Sequence, residues 1–95
     1  MKMKIDDLLE GTKLILDSEQ TATLLTNKGG NNIKSCNVDM VSQWGSEGQF
    51  IKHYTKVRDV YAHEIVEACV NGKWVDILYT ESQKLCKARN DLLDS

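Results

Sequence analysis

Proline is absent from this 95-residue chain, phenylalanine occurs once, and histidine only twice. Without proline, turns must come from glycine and from clusters of Asn, Asp and Ser. The clearest are Lys28-Gly29-Gly30-Asn31-Asn32, Gly45-Ser46-Glu47-Gly48 and Asn71-Gly72. No stretch approaches the ~20 consecutive apolar residues of a membrane span. Asp6, Asp7 and Glu10 interrupt the apolar run that a secretory leader would need. The expectation is a soluble, cytoplasmic protein with no membrane contact.

A charge excess is lacking as well. The formal charge is −2, with five basic and seven acidic groups in residues 1–49 and seven of each in residues 50–95. That balance excludes a polycation that holds nucleic acid by bulk charge alone. The three acids near the N-terminus are too few, and too interrupted by lysine, to make a nucleic-acid mimic. Apolar residues make up 41% of the chain, which excludes intrinsic disorder on composition. One compact domain over residues 1–95 is expected, with a core too small to enclose a cofactor. No linker, repeat or low-complexity tract divides it.

Chemical motifs are equally scarce. Cys36, Cys69 and Cys86 are an odd number with no CxxC or Cys-His zinc spacing. They read as reduced cysteines filling small apolar spaces; the sharper alternative is a reactive thiol near His53 or His63. His63-Glu64-Ile65-Val66-Glu67 matches the start of the H-E-x-x-H zinc pattern but lacks the second histidine. His63 is expected on a strand, and no metal is expected. Gly29-Gly30 has neither P-loop nor dinucleotide-loop spacing, and G-x-S-x-G is absent. No catalytic residue, cofactor site or metal site is assigned, so the chain is read as a non-enzyme.

What is present is β-pattern and punctuation. Asn71-Gly72 suits both left-handed positions of a type I′ turn. In that register Val70 faces Lys73, Cys69 faces Trp74, Ala68 faces Val75 and Val66 faces Ile77. Val66, Ala68, Val70, Val75 and Ile77 then form a core face, and Ile65, Glu67, Cys69, Trp74, Asp76 and Leu78 lie opposite. Thr80-x-x-Gln83 has capping-box form and opens a helix over about Glu81–Leu93. Its stripe of Leu85, Cys86, Ala88, Leu92 and Leu93 is expected to pack on the sheet. Residues 5–9 read as a helical turn closed by Gly11. Residues 13–16 read as a strand, and threonine-rich residues 21–26 as a strand rather than a helix from Ser18. Residues 21–26 pair with 33–38 in a second hairpin. Residues 46–58 support two readings, a helix capped at Ser46 or an alternating strand. The fold class is α+β, a small antiparallel sheet with the C-terminal helix and room for one further helix on one face.

Two binding readings follow. In the first, the chain is a protein-binding module, an inhibitor, adaptor or accessory subunit, a profile that suits a small viral or mobile-element regulator. Its contacts are Trp44, Trp74 and an exposed sheet edge, where a homodimer could also form. The plainer reading of both tryptophans is packing. In the second, the segment 50–63 binds nucleic acid or a nucleotide through Lys52, His53, Tyr54, Lys56, Arg58 and Tyr61, cations meeting phosphates and aromatic rings stacking on bases. Its plainer counterpart makes Phe50, Tyr54 and Tyr61 core residues ringed by solvated lysines.

Overall fold

The computed structural model describes the backbone of residues 1–27, 32–44 and 50–94, and the side chains of these residues outside 41–53 and 93–94. A seven-stranded mixed sheet runs through the chain. Its strands are β1 (Lys2–Met3), β2 (Lys13–Leu16), β3 (Thr21–Thr26), β4 (Ile33–Trp44), β5 (Phe50–Tyr61), β6 (Ile65–Val70) and β7 (Lys73–Ile77). They lie in the order β1-β7-β6-β2-β3-β4-β5. Every neighbouring pair is antiparallel except β1 on β7. The class is α+β as expected. The sheet is larger than expected because residues 50–61 form a strand, and because the N-terminal residues add a parallel one.

Alternation decides which side is buried. Leu14, Leu16, Ala22, Leu24, Cys36, Val38, Val60 and Ala68 fall on one face and are buried. Ile5 and Leu8, flanking a 3₁₀ turn over Ile5–Asp7, cover that face. Asn27 Nδ2 holds this cover in place, donating to the carbonyls of Ile5 at 2.9 Å and Leu8 at 2.8 Å. Gly11 closes the segment at φ 87°, a backbone angle that glycine reaches without Cβ strain. The opposite face carries Thr21, Thr23, Asn37, Asp39, Asp59 and Asp76, with Ile33, Val57, Tyr61 and Trp74 exposed among them.

The β6–β7 hairpin keeps the expected register, with Val70↔Lys73, Cys69↔Trp74, Ala68↔Val75 and Glu67↔Asp76. Asn71 and Gly72 both have positive φ, 53° and 78°, as a type I′ turn requires. One assignment changes. Ile65 is fully buried and Val66 only partly so. A bulge shifts the β2–β6 register between Ile15 and Leu16, so Leu16 meets Ile65 and the inward set changes parity. His63 is not on a strand either: a 3₁₀ turn over Ala62–Glu64 separates β5 from β6 and buries it.

Helix α1 (Glu81–Asp94) starts at the expected box. Thr80 N–H donates to Gln83 Oε1 at 3.0 Å, and Gln83 N–H donates to Thr80 Oγ1 at 3.2 Å. Its stripe, however, does not pack on the sheet. Leu85 is 70% exposed and Leu92 77%, with Cys86 and Ala88 also exposed. Gln83 is the buried residue instead, because the box turns it inward. The 3₁₀ turn Ala62–Glu64 is the element α1 lies against. Asn32 donates to Ser82 at 3.1 Å, and the Lys87 ammonium stands 5.7 Å from the centroid of the Tyr79 ring. The Gly29-Gly30 and Gly45–Gly48 turns, the Ser46 cap and the packing of Leu93 lie outside the described residues.

Candidate functional site

β4 and β5 form the longest feature of the molecule. Their register runs without interruption from Ile33↔Tyr61 to Trp44↔Phe50. β3 pairs with β4 as far as Ala22↔Val38, and its first residue, Thr21, donates from its hydroxyl to Asp39. Five further β4–β5 pairs, Met40↔Tyr54 to Trp44↔Phe50, continue past the end of β3. At about 3.4 Å per residue they add roughly 17 Å beyond β3. β5 is also the terminal strand of the sheet, so one side of its backbone faces no neighbouring strand among the described residues.

The six residues of the nucleic-acid reading all lie on this strand. Strand geometry sorts them by parity: Lys52, Tyr54, Lys56 and Arg58 take register positions on one side, and His53 and Tyr61 on the other. Tyr54 is 43% exposed and Tyr61 54%, so neither belongs to the core. Lys56 is exposed, whereas Arg58 is partly engaged, 3.7 Å from Glu64 and donating to the Asp59 carbonyl at 3.3 Å. The side chains of Lys52 and His53 lie outside the described residues.

The two tryptophans are far apart. Trp44 ends β4, paired with Phe50, and its side chain lies outside the described residues. Trp74 sits on the outer face of β7, opposite Cys69 and half exposed. Four inter-strand steps separate β7 from β4. At about 4.8 Å per step that is roughly 19 Å across the sheet, so a single small contact does not use both.

The cysteines differ in environment. Cys36 is buried on β4 opposite Arg58, Cys69 is intermediate, and Cys86 is exposed on α1. Burial pushes the Cys36 thiol up to about 11, outweighing the opposite pull of the Arg58 guanidinium. Burial and the raised pKa both weaken that thiol as a nucleophile. Among the described residues no cluster of three or more His, Cys, Asp or Glu side chains is placed to hold a metal ion. Nor is any helix there long and apolar enough to cross a membrane.

Sequence reading missed one feature. Tyr61 and His63 meet Cys86, Arg89 and Asn90 of α1 around a cavity of about 240 Å³. The sequence raises only the notion of a thiol near His63, the place that Cys86 takes in this lining; Tyr61 and Arg89 join it only through the return of α1. Compared with protein-family models, with curated proteins and with solved structures, the chain matches none.

Proposed function

We propose that the chain is a non-enzymatic protein-binding module, an inhibitor, adaptor or accessory subunit, that takes an extended segment of another protein along the open edge of β5. The observation that carries this reading is the edge itself. It belongs to a twelve-residue strand without proline, whose outer side turns backbone groups away from β4 at alternate residues, short of Tyr61, whose N–H donates to Glu64. Charge selects the occupant: β5 carries Lys52, Lys56 and Arg58 against Asp59, so an acid-bearing segment is favoured. Two copies meeting through this edge would set like charges together, which disfavours edge-to-edge homodimers. A cytoplasmic setting is part of the proposal, supported by three free cysteines and no disulfide among the described residues.

The test is native mass spectrometry of tagged protein recovered from lysate of its own biological source, followed by hydrogen exchange on the complex. A protein partner that slows exchange of the β5 amides, and that dissociates from the Lys52→Glu/Lys56→Glu variant, is the expected outcome. A partner that leaves β5 exchange unchanged would remove the edge as the site.

A second reading has its own support. The parity of β5 sets Lys52, Tyr54, Lys56 and Arg58 on one side of an edge strand, an arrangement suited to phosphates and stacked bases. His53 and Tyr61 would act from the other side. Co-purified oligonucleotide, with affinity falling steeply as salt rises and lost on charge reversal at Lys56 and Arg58, would put this reading first.

A further inference from the structure

β5 ends at Tyr61, the chain turns through Ala62–Glu64, and α1 returns against that turn. The cavity between them has one flat wall. The Tyr61 and His63 rings stack with centroids 5.4 Å apart and 14° between their planes. Tyr61 remains half exposed. His63 is only 6% exposed, and its Nε2 is buried with no hydrogen-bond partner among the described residues. A buried nitrogen without a partner is destabilising, and a turn of the ring toward the cavity that His63 lines would bring it to a ligand oxygen.

The other wall is cationic. Arg89 lines the cavity and forms no ion pair among the described residues. Glu64, next in sequence to His63, is engaged elsewhere: it accepts from the Tyr61 N–H at 2.7 Å and lies 3.7 Å from Arg58. The guanidinium charge at the cavity is therefore not cancelled by that acid. At about 240 Å³ the space is smaller than a drug-sized pocket of roughly 300–1,000 Å³, which suits a compact ligand.

We propose that this cavity binds a phosphate monoester carrying a planar ring, of mononucleotide size. The Arg89 fork takes the phosphate oxygens, whose geometry it matches in bidentate fashion. His63 contributes a further hydrogen bond from its imidazole. The exposed Tyr61 ring gives the ligand's ring a face to stack on. The site shares Tyr61 with the end of β5 and with the nucleotide reading, but it uses neither the edge backbone nor Lys52, Lys56 and Arg58, so it stands or falls separately from the protein-binding reading.

The test is a nuclear magnetic resonance titration of the full chain with adenosine 5′-monophosphate, inorganic phosphate and adenosine as separate probes. The monophosphate should shift the signals of Tyr61, His63 and Arg89 and slow alkylation of Cys86, which lines the same cavity. Inorganic phosphate should bind more weakly at the same residues, and adenosine more weakly than the monophosphate. Arg89→Ala should weaken monophosphate binding by at least about tenfold. Arg89 is exposed on a helix surface, where alanine is well tolerated, so circular dichroism should be unchanged. No shift with any probe, or equal binding by the Arg89→Ala variant, would overturn the site. Inorganic phosphate binding as tightly as the monophosphate would overturn the nucleotide assignment.

Discussion

The Lys34 ammonium lies 2.9 Å from the Asp6 carboxylate, with the lysine side chain 1% exposed and the aspartate side chain one-third exposed. Lys34 occupies an inward position of β4, in line with Cys36 and Val38. The 3₁₀ turn Ile5–Asp7 brings Asp6 over it. The pair thus ties the N-terminal cover to the sheet and sets a carboxylate against a cation that the fold has almost wholly removed from water.

Removing the acid alone should therefore be costly. Asp6→Ala is expected to lower unfolding stability by about 2–3 kcal/mol, discounted from the fully buried case because Asp6 is partly solvated. Lys34→Met in the same chain should restore part of that loss, because the buried charge leaves with it. Urea denaturation of the two variants measures both. A double variant less stable than Asp6→Ala alone would show that Lys34 stabilises the fold independently of the pair.

Stability should also fall in alkali, and the sign follows from protonation. The Cys36 thiol is raised in the fold from 9.0 to about 11, and burial likewise raises the Tyr79 hydroxyl above its ordinary 10.0. Tyr79 donates that proton to the Ile65 carbonyl. In both cases the unfolded chain deprotonates first, so the fold keeps the full contribution below pH ~9 and loses it as pH rises. For Cys36 the window is pH 9.0 to about 11, and the loss is of order 2 kcal/mol. Stability measured against pH should decline there and decline less in Cys36→Ala. Alkylation followed by peptide mapping should modify Cys86 first, Cys69 next and Cys36 only after unfolding.

Strand chemistry was legible in the sequence where it was local. Asn71-Gly72 dictates its own turn and hence the β6–β7 register, and Thr80-x-x-Gln83 dictates the start of α1. Residues 46–58 were ambiguous because Phe50, Tyr54, Val57 and Tyr61 fit a helical stripe while the β-branched residues fit a strand. Pairing along the whole of β4 decides for the strand. The Leu85–Leu92 stripe misled because periodicity reports an apolar face and not whether anything covers it. The inward place of Ile65 depends on a bulge, and that of Lys34 on a partner twenty-eight residues away. At the candidate sites, the β5 cations were visible as a cluster, but their division between two sides required knowing that the segment is a strand. The cavity of Tyr61, His63 and Arg89 needed tertiary structure.

Trp74 offers a direct separation of folding from binding. It stands on the outer face, 48% exposed, with its neighbours Cys69 and Lys73 also off the core. Trp74→Ala should cost less than about 1 kcal/mol of stability. In a partner-binding assay the same variant should lose affinity if this face contributes a contact, as tryptophan commonly does. Equal loss of folding and binding would place the indole in the packing of the domain.

The helix gives the last test, because two opposite expectations attach to neighbouring residues. Apolar side chains normally carry a helix's attachment, yet Leu85 and Leu92 are exposed while the polar Gln83 is 3% exposed. The start of the helix is fixed by the Thr80–Gln83 box and the Asn32–Ser82 bond, with Lys87 over Tyr79 one turn further on, and the helix lies against the Ala62–Glu64 turn rather than through its leucine stripe. Leu85→Ser and Leu92→Ser should each change stability by no more than about 0.5 kcal/mol. Thr80→Ala should cost about 1 kcal/mol, and Gln83→Ala at least as much, since it removes the other half of the box and vacates a buried position. Chemical denaturation of the four variants reads this ordering. A reversal, with the leucines costly and the box residues neutral, would mean that the stripe is covered in solution and that α1 is held by its apolar face.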